Sequence, residues 1–465
     1  MSTNIDNVTD AKVVLNDDGT IAGLLEPKTG KTKFTPSNAV NSKGQTIGFT
    51  DANSAIKRNS LRAGAPFGTI RVARGSTLGP DITVATTLDN EQAALSSFTG
   101  VKLIYANYDN VNALPITKFK VTASPSHGYG VGGPNGNNAA HNWIQGYFNG
   151  AEGVTVPVAT LAASGANNLN IPSFVTSDLI KVTSIPRTDS FNGVPWTRPL
   201  LRARSLLTPV GQVKLSTANS LVEWNDRANA ALNYGLVSAV GKNAGDFVTT
   251  TTDTNSVFDI FGGESLPFAY QFFYESKNIT VACVGDSITQ GSTSIAGVFG
   301  FPQQAHSKLQ TKVSNLYGNF MNFGASGQQH RDSMSVARSI VLGIKPDYLT
   351  MFAQSPNGSG AGTATQAAMN TQWIDTLAII ELCKQNNVTP IVITSPVFSG
   401  HTPALLKSMN ERVKAIEGYA IVVDAYAVFS PNDTLLYSSD GTHLSTEGYG
   451  ILADLVTEAI ATAYL

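Results

Sequence analysis

Four short apolar runs recur in the C-terminal part of the chain, and their lengths suit buried strands. They are NITVACVG (278–285), DYLTMFA (347–353), TPIVITSPV (389–397) and AIVVDAY (420–426). The last three are separated by segments 365–387 and 402–418, in which apolar residues recur with the helical period. Buried strands that alternate with amphipathic helices predict a parallel sheet covered on both faces. We therefore expect residues 276–465 to form one three-layer α/β domain.

The preceding part of the chain has a different pattern. Short β-branched or aromatic runs alternate there with turn residues, as in VKLIYANY (101–108), FKVTA (119–123), VTVPVATL (154–161) and LIKVTSI (179–185). This spacing predicts a β-sandwich or jelly-roll domain over residues 91–275. Residues 1–90 show short polar strands and turns without an obvious helix, so the chain is expected to be multidomain.

Charge and composition narrow the choice of partners. The chain has 31 basic and 33 acidic residues, a formal net charge of −2 and no prominent run of Lys or Arg. We therefore do not expect the protein to bind nucleic acid or anionic lipid through electrostatic attraction. The only two cysteines, Cys283 and Cys383, lie in apolar segments and are expected to be core residues.

The N-terminus lacks the basic and apolar pattern of a signal peptide, and no run of about 18 apolar residues occurs. We expect a protein that is made in soluble form, is not exported by a signal peptide and does not insert into a membrane. A component of a phage particle would also fit this pattern, because it leaves the cell by lysis.

Candidate chemistry lies at the end of the first apolar run and near the C-terminus. Gly285 ends the run 278–285, Asp286 and Ser287 directly follow it, and ligand sites in open parallel sheets gather at the carboxyl ends of strands. A serine becomes a nucleophile when a base takes its proton and a carboxylate orients that base. Asp440 and His443 stand three residues apart, just before the last helical pattern, and can supply both groups.

These blocks resemble the SGNH hydrolases, the superfamily of GDSL-type esterases. GDSIT at 285–289 matches its first block, with Ile in place of Leu, and Asp440 with His443 matches its last block. The resemblance covers about residues 277 to 465. It implies a flavodoxin-like α/β fold in which Ser287 is the nucleophile, His443 the general base and Asp440 its orienting partner, with neither a metal nor an organic cofactor.

The resemblance also implies an oxyanion hole. NFGASGQQ (322–329) resembles the second block and makes the backbone N–H of Gly327 one donor, beside the N–H of Ser287. PDYLTMFAQSPNGSG (346–360) resembles the third block, which usually reads Gly-x-Asn-Asp. Here Gln354 or Ser355 replaces the motif glycine, and Asn357 is the candidate for the side-chain donor.

Neighbouring polar residues have simpler interpretations. Asp286 is expected to cap the turn that follows it rather than to act as an acid. His330 and Arg331 could line a substrate pocket, but a solvated loop face is the expectation for both. The histidines show no spacing typical of a zinc site, so no metal is expected.

The substrate is suggested by analogy alone. Many relatives of this superfamily remove acetyl groups from polysaccharides, so an O-acetylated polysaccharide is the expected substrate. The chain also looks similar to phage tail-spike or tail-fibre deacetylases. In that case residues 1–90 would attach the protein to the virion tail or assemble subunits, and a homo-oligomer is expected. Two alternatives stay open, namely a cytoplasmic esterase of lipids or small esters and a catalytically inactive, carbohydrate-binding structural protein.

Overall fold

A computed structural model describes most of the chain beyond residue 82 and several shorter segments before it. The described residues are 13–15, 21–24, 40–41, 67–70, 74–78, 82–94, 96–125, 142–162, 170–188, 190–191, 194–195, 199–218, 238–248, 259–260, 266–274, 278–294, 300–314, 316–357, 365–397, 402–429, 435–438 and 440–464. Most of the predicted segment 1–90 thus lies outside the described residues. The chain divides into two compact units, one made mainly of Gly64–Thr280 and the other mainly of Val281–Val313 and Phe323–Leu465.

Strands dominate the part of the chain before residue 275. The first three form a small sheet in the order β2-β1-β3, and they are β1 (Val13–Leu15), β2 (Ile21–Leu24) and β3 (Val40–Asn41). The strands that follow are β4 (Phe67–Ile70), β5 (Arg74–Leu78), β6 (Thr86–Ala93), β7 (Phe98–Asn107), β8 (Leu114–Ser124), β9 (Ile144–Gln145), β10 (Val154–Val156), β11 (Ser173–Thr176), β12 (Ile180–Lys181), β13 (Ser190–Phe191), β14 (Val194–Pro195), β15 (Leu200–Leu207), β16 (Ser216–Ala218), β17 (Ser238–Ala244), β18 (Asp259–Ile260) and β19 (Ala269–Tyr274).

Two antiparallel sheets of the unit Gly64–Thr280 share one hydrophobic core. One sheet has the order β10-β8-β15-β6-β17-β18 with β9 beside β8, and the other has the order β11-β7-β19-β4 with β12 beside β7. Tyr105 of β7 and Phe272 of β19 belong to the same buried cluster as Phe119 of β8 and Leu201 of β15. The rings of Tyr105 and Phe119 lie edge to face with centroids 5.7 Å apart. This arrangement is a β-sandwich, which confirms the fold class predicted from the strand spacing.

The sandwich includes strands on both sides of residue 90, where the sequence pattern placed a domain boundary. Strand β6 reads TTLDNEQA, a polar composition that gives little sign of a buried strand. Asp89 of β6 is nevertheless fully buried, because its Oδ2 accepts hydrogen bonds from Arg202 Nη2 at 2.7 Å and from Arg204 Nε at 2.9 Å. A buried carboxylate needs such partners. Because these partners lie on β15, more than a hundred residues along the chain, the sequence pattern of β6 alone gives no sign of them.

The C-terminal part of the chain, from residue 278 onward, contains a five-stranded sheet with helices between its strands. The strands are β20 (Asn278–Cys283), β21 (Tyr317–Asn322), β22 (Tyr348–Phe352), β23 (Thr389–Ile393) and β24 (Ile421–Val423). The helices are α1 (Ser287–Gln290), α2 (Phe301–Lys312), α3 (His330–Gly343), α4 (Gln366–Gln385), α5 (Pro403–Ala415) and α6 (Thr446–Tyr464), with a 3₁₀ turn at Ala425–Ala427. Among the described helices, none is both long and apolar enough to cross a membrane.

The order of this sheet is β21-β20-β22-β23-β24, and β20, β22, β23 and β24 run parallel. With the strands of this sheet numbered in chain order, this is the order 2-1-3-4-5 of flavodoxin-like folds. All residues of β22 and β23 are buried, as their continuous apolar sequences predict. The predicted α/β fold is therefore confirmed.

The same topology fixes where a site can form. The strand order reverses between β20 and β22, and ligands of such sheets bind beyond the carboxyl ends of the strands at this point. Ser287 follows β20 by four residues, and the loop that begins at Ala353 follows β22. The first and third sequence blocks thus meet at one edge of the sheet.

Candidate active site

Ser287 is the first residue of α1, the short helix that follows β20. The side chain of Asp286 caps this helix, because its Oδ1 accepts a hydrogen bond from Ile288 N at 2.9 Å. Gly285 is required here, since a Cβ at this position would collide with the hydroxyl of Thr289. Asp286 thus has the capping role expected from its position, and the sharp turn places Ser287 directly beyond the strand.

His443 and Asp440 lie on the loop before α6, and this loop reaches the serine. His443 Nε2 lies 2.7 Å from Ser287 Oγ, and His443 Nδ1 lies 2.6 Å from Asp440 Oδ2. An ionised carboxylate can only accept hydrogen bonds, so Nδ1 carries the hydrogen and Nε2 is left to accept one from the serine. The structure therefore brings the three residues into one hydrogen-bonded chain in the order that proton transfer requires.

The other oxygen of Asp440 holds the loop in shape. Its Oδ1 accepts hydrogen bonds from Ser438 Oγ at 2.7 Å, from Thr442 N at 2.8 Å and from His443 N at 2.9 Å. Partial burial alone would raise the pKa of Asp440, but the hydrogen bonds from His443, Ser438 and Thr442 outweigh it and lower the pKa well below its usual range. The Asp440 carboxylate therefore stays ionised and can keep accepting the hydrogen bond from His443 Nδ1.

Two further hydrogen bonds tie the histidine loop to the segment after α1. Thr293 Oγ1 lies 2.9 Å from the carbonyl oxygen of Leu444 and 2.5 Å from that of Ser292, so its one hydrogen is shared between two acceptors. Tyr449 Oη donates to the carbonyl oxygen of Ser292 at 2.9 Å. Thr293 has a φ of 68°, which is unfavourable for a β-branched residue and is found where the surrounding structure enforces it. These bonds fix the distance between nucleophile and base, although the two residues are 156 positions apart.

The loop after β21, which carries the second sequence block, packs against the nucleophile turn. Ala325 N donates to the carbonyl oxygen of Gly285 at 3.1 Å, and Ser326 N donates to Gln290 Oε1 at 2.5 Å. A Cβ at Gly324 would collide with the backbone of residues 289 and 290, so only glycine permits this approach. Gly327 follows in an exposed turn with a φ of 79°. Its predicted role as an oxyanion donor stays a prediction.

The loop after β22 departs from the family pattern, and its polar side chains have definite partners. Ser355 is buried and its Oγ donates to Asp286 Oδ2 at 2.5 Å. Asn357 Nδ2 donates to the carbonyl oxygen of Gln328 at 3.1 Å. Asn357 is thus placed beside the second block, and its proposed oxyanion role stays a prediction. The contact between Ser355 and Asp286 was not foreseen, although the position of Ser355 just beyond a buried strand was a usable signal.

Residues 283–451 match the model of the GDSL-like lipase/acylhydrolase family. The α/β domain belongs to the SGNH hydrolase superfamily. Because this family comprises lipases and acylhydrolases, the domain is an ester hydrolase in the broad sense.

Solved structures resemble the same part of the chain. A lipase/acylhydrolase from Enterococcus faecalis is 22% identical with a TM-score of 0.33, and the match covers 40% of this chain and 96% of that one. An acetylxylan esterase, Axe2, from Geobacillus stearothermophilus is 21% identical with a TM-score of 0.31, and the match covers 39% of this chain and 94% of that one. A search of the curated proteins finds no match.

His330 of the SGNH domain is buried, so the expectation of a solvated loop face is wrong for it. It begins α3 with 3% of its surface exposed, and its Nε2 lies 3.1 Å from Thr376 Oγ1. Burial lowers the pKa of His330 to about 4, because the charged imidazolium loses its hydration. Arg331, the next residue, is exposed as expected. Among the described residues, no group of His, Cys, Asp and Glu side chains is arranged to hold a metal ion.

We expect the esterase activity of this SGNH domain to fall in acid. His443 must be neutral at Nε2 to accept the serine proton, whereas the lowered pKa of Asp440 keeps that group charged over the same range. We therefore expect kcat/KM to fall as the pH is lowered, because a protonated Nε2 cannot accept the serine proton. The measurement is hydrolysis of p-nitrophenyl acetate from pH 4 to 8, with circular dichroism at each pH as the control for folding. A rate that is flat down to about pH 4 would contradict a histidine base.

Proposed function

We propose that the SGNH domain is a serine esterase that works through an acyl-enzyme. The observation that carries this proposal is the hydrogen-bonded chain from Ser287 Oγ through both nitrogens of His443 to Asp440 Oδ2, with lengths of 2.7 and 2.6 Å. Ser287 Oγ attacks the ester carbonyl while His443 Nε2 takes its proton. The imidazolium then donates that proton to the leaving alcohol oxygen, and the acyl group remains on Ser287.

The second half of the reaction uses the same groups in reverse order. Water enters, His443 Nε2 takes one of its protons, and the water oxygen attacks the acyl carbonyl. The bond between the acyl carbon and Ser287 Oγ then breaks, the imidazolium returns its proton to that oxygen, and the acid is released. In both halves the carbonyl oxygen becomes an oxyanion, and the backbone N–H groups of Ser287 and Gly327 with the amide of Asn357 are the proposed donors. Loss of one such donor typically costs roughly 3 to 4 kcal/mol.

For the substrate we propose an O-acetyl ester on a polysaccharide. Next to the nucleophile, the structure describes residues 323–329 of the second loop and 353–357 of the third, and the exposed or half-buried ones in these ranges are Ser326, Gly327, Gln329 and Asn357, all of them polar or glycine. Such a surface suits a hydroxyl-rich alcohol better than a long acyl chain, which binds to apolar walls. The β-sandwich predicted over residues 91–275 is a candidate carbohydrate-facing module by analogy alone.

The test compares two classes of ester. Purified protein is incubated with O-acetylated bacterial polysaccharide and with long-chain acyl esters, and released acetate and fatty acid are measured. We expect acetate from the polysaccharide and no such release with the Ser287→Ala variant. Fatty acid alone would favour the lipid esterase instead, and binding of the polysaccharide without any release would favour an inactive carbohydrate-binding protein. The virion-tail location and the homo-oligomer stay predictions.

A further inference from the structure

Ser355 occupies a position that the reaction scheme above does not use. It lies three residues beyond the end of β22, with 7% of its surface exposed. Its hydroxyl carries one hydrogen, and the nearest acceptor is Asp286 Oδ2 at 2.5 Å, whereas the carbonyl oxygen of Gln328 is 3.4 Å away. Ser355 Oγ therefore donates its hydrogen bond to Asp286 Oδ2. The lone pairs of Ser355 Oγ in turn accept a hydrogen bond from Asn357 N at 3.2 Å.

Asp286 carries this contact onward to the nucleophile. Its two carboxylate oxygens face in different directions, Oδ1 toward Ile288 N and Oδ2 toward Ser355 Oγ. Asp286 is itself 4% exposed, and burial raises its pKa, since a charge at this depth is poorly solvated. Two donors therefore hold this carboxylate in place, and one of them is the hydroxyl of Ser355.

The second block joins the same network. Gln328 O, next to Gly327, accepts the hydrogen bond from Asn357 Nδ2 at 3.1 Å, and Asn357 N is held by Ser355 Oγ. One serine hydroxyl thus lies between the turn that carries Ser287 and the turn that carries Gly327. The residues at its two ends, Asp286 and Gln328, are each adjacent to one of the proposed oxyanion donors.

We propose that Ser355 is a positioning residue for the ester hydrolysis. Acting through Asp286 on one side and Asn357 on the other, it sets the spacing of the Ser287 and Gly327 backbone N–H groups, and this inference rests on the proposed serine-esterase function. Small errors in the placement of such groups have large effects on rate, because the developing oxyanion is stabilised only by donors already in place.

The test is Ser355→Ala, assayed with p-nitrophenyl acetate. We expect kcat to fall about 10- to 100-fold while KM changes less than about threefold, since the loss acts on the transition state rather than on binding. Ser355→Thr keeps the hydroxyl and should recover most of kcat. The matched control is Ser395→Ala, because Ser395 is also buried just beyond a strand, β23, and its hydroxyl has no hydrogen-bond partner among the described residues.

A purely structural role would not produce this split between kcat and KM. Thermal unfolding should show Ser355→Ala folded under the assay conditions, and its effect on kcat should shrink in an Asp286→Ala background, where the link is already broken. If Ser355→Ala does not fold, Ser355→Cys replaces it, and its weaker donor should still lower kcat. Wild-type kcat in the folded Ala or Cys variant overturns the proposal.

The two proposals fail in different ways. Wild-type protein without activity on any ester, or an active Ser287→Ala variant, would remove the serine-esterase function and the role of Ser355 with it. An active wild type, an inactive Ser287→Ala variant and a fully active Ser355→Ala variant would leave the function in place and remove only the role of Ser355.

Discussion

Ser287→Ala is expected to abolish the hydrolysis of p-nitrophenyl acetate, with kcat reduced by roughly 10⁴- to 10⁶-fold. The variant lacks the oxygen that forms the acyl-enzyme, and His443 Nε2 would face a methyl group instead of a hydroxyl at 2.7 Å. Without this nucleophile, His443 and Asp440 cannot promote hydrolysis through an acyl-enzyme. The measurement is initial rate against substrate concentration, together with a search for the burst that marks acyl-enzyme formation.

Ser333→Ala is the control for this variant. Ser333 is buried in α3, and its hydroxyl has no hydrogen-bond partner among the described residues, so its loss should leave kcat unchanged. Thermal unfolding of both variants checks that the fold is intact. Substantial activity in Ser287→Ala would show that the hydrolysis takes place elsewhere and would remove the basis of the proposed mechanism.

Asp440→Asn is expected to lower kcat/KM by about 10³- to 10⁴-fold, although the change is nearly isosteric. Three donors point at the position of Asp440 Oδ1, so the oxygen of an asparagine must take that place. Its amide nitrogen then faces His443 Nδ1 and donates to it. This forces the imidazole hydrogen onto Nε2, where the serine proton has to be accepted.

Asp440→Ala is the informative comparison for this prediction. Without an amide donor no tautomer is imposed, so the alanine variant should retain more activity than the asparagine variant, which is the opposite of the order that side-chain size alone would give. Glu447→Gln, an exposed acid at the start of α6, controls for the loss of one negative charge. An asparagine variant within about threefold of wild type would contradict the proposed orienting role of Asp440.

Much of the α/β fold could be predicted because its strands are continuous apolar runs. Strands β22, β23 and β24 were foreseen, as were helices α4 and α5 within two or three residues at their ends. Strand β21 was not foreseen, because YGNFMN mixes polar and apolar residues without a clear period. In the β-sandwich, the polar sequence of β6 gave no sign of a buried strand, because its buried Asp89 depends on arginines that lie far along the chain.

The site shows the same division between local and long-range information. Ser287, Asp440 and His443 could be selected because they lie in short blocks that resemble those of the SGNH hydrolases, one after an apolar strand and the other just before a helical pattern. The third block offered Gln354, Ser355 and Asn357 without a way to choose between them. The structure places the side chain of Ser355 on Asp286, 69 positions away, and that of Asn357 on the carbonyl of Gln328, 29 positions away.

The sequence by itself determined the fold class, the kind of chemistry and the residues that supply a hydroxyl, an imidazole and a carboxylate. The fold class follows from periodicity, whereas the chemistry and its candidate residues follow from short blocks that resemble those of the SGNH hydrolases, and both are properties of short stretches of chain. Only the tertiary structure decided which nitrogen of His443 meets Ser287, why His330 is a core residue, and that Ser355 holds Asp286. The reason is physical, since a hydrogen bond depends on distances of tenths of an ångström between atoms whose separation along the chain leaves no local pattern.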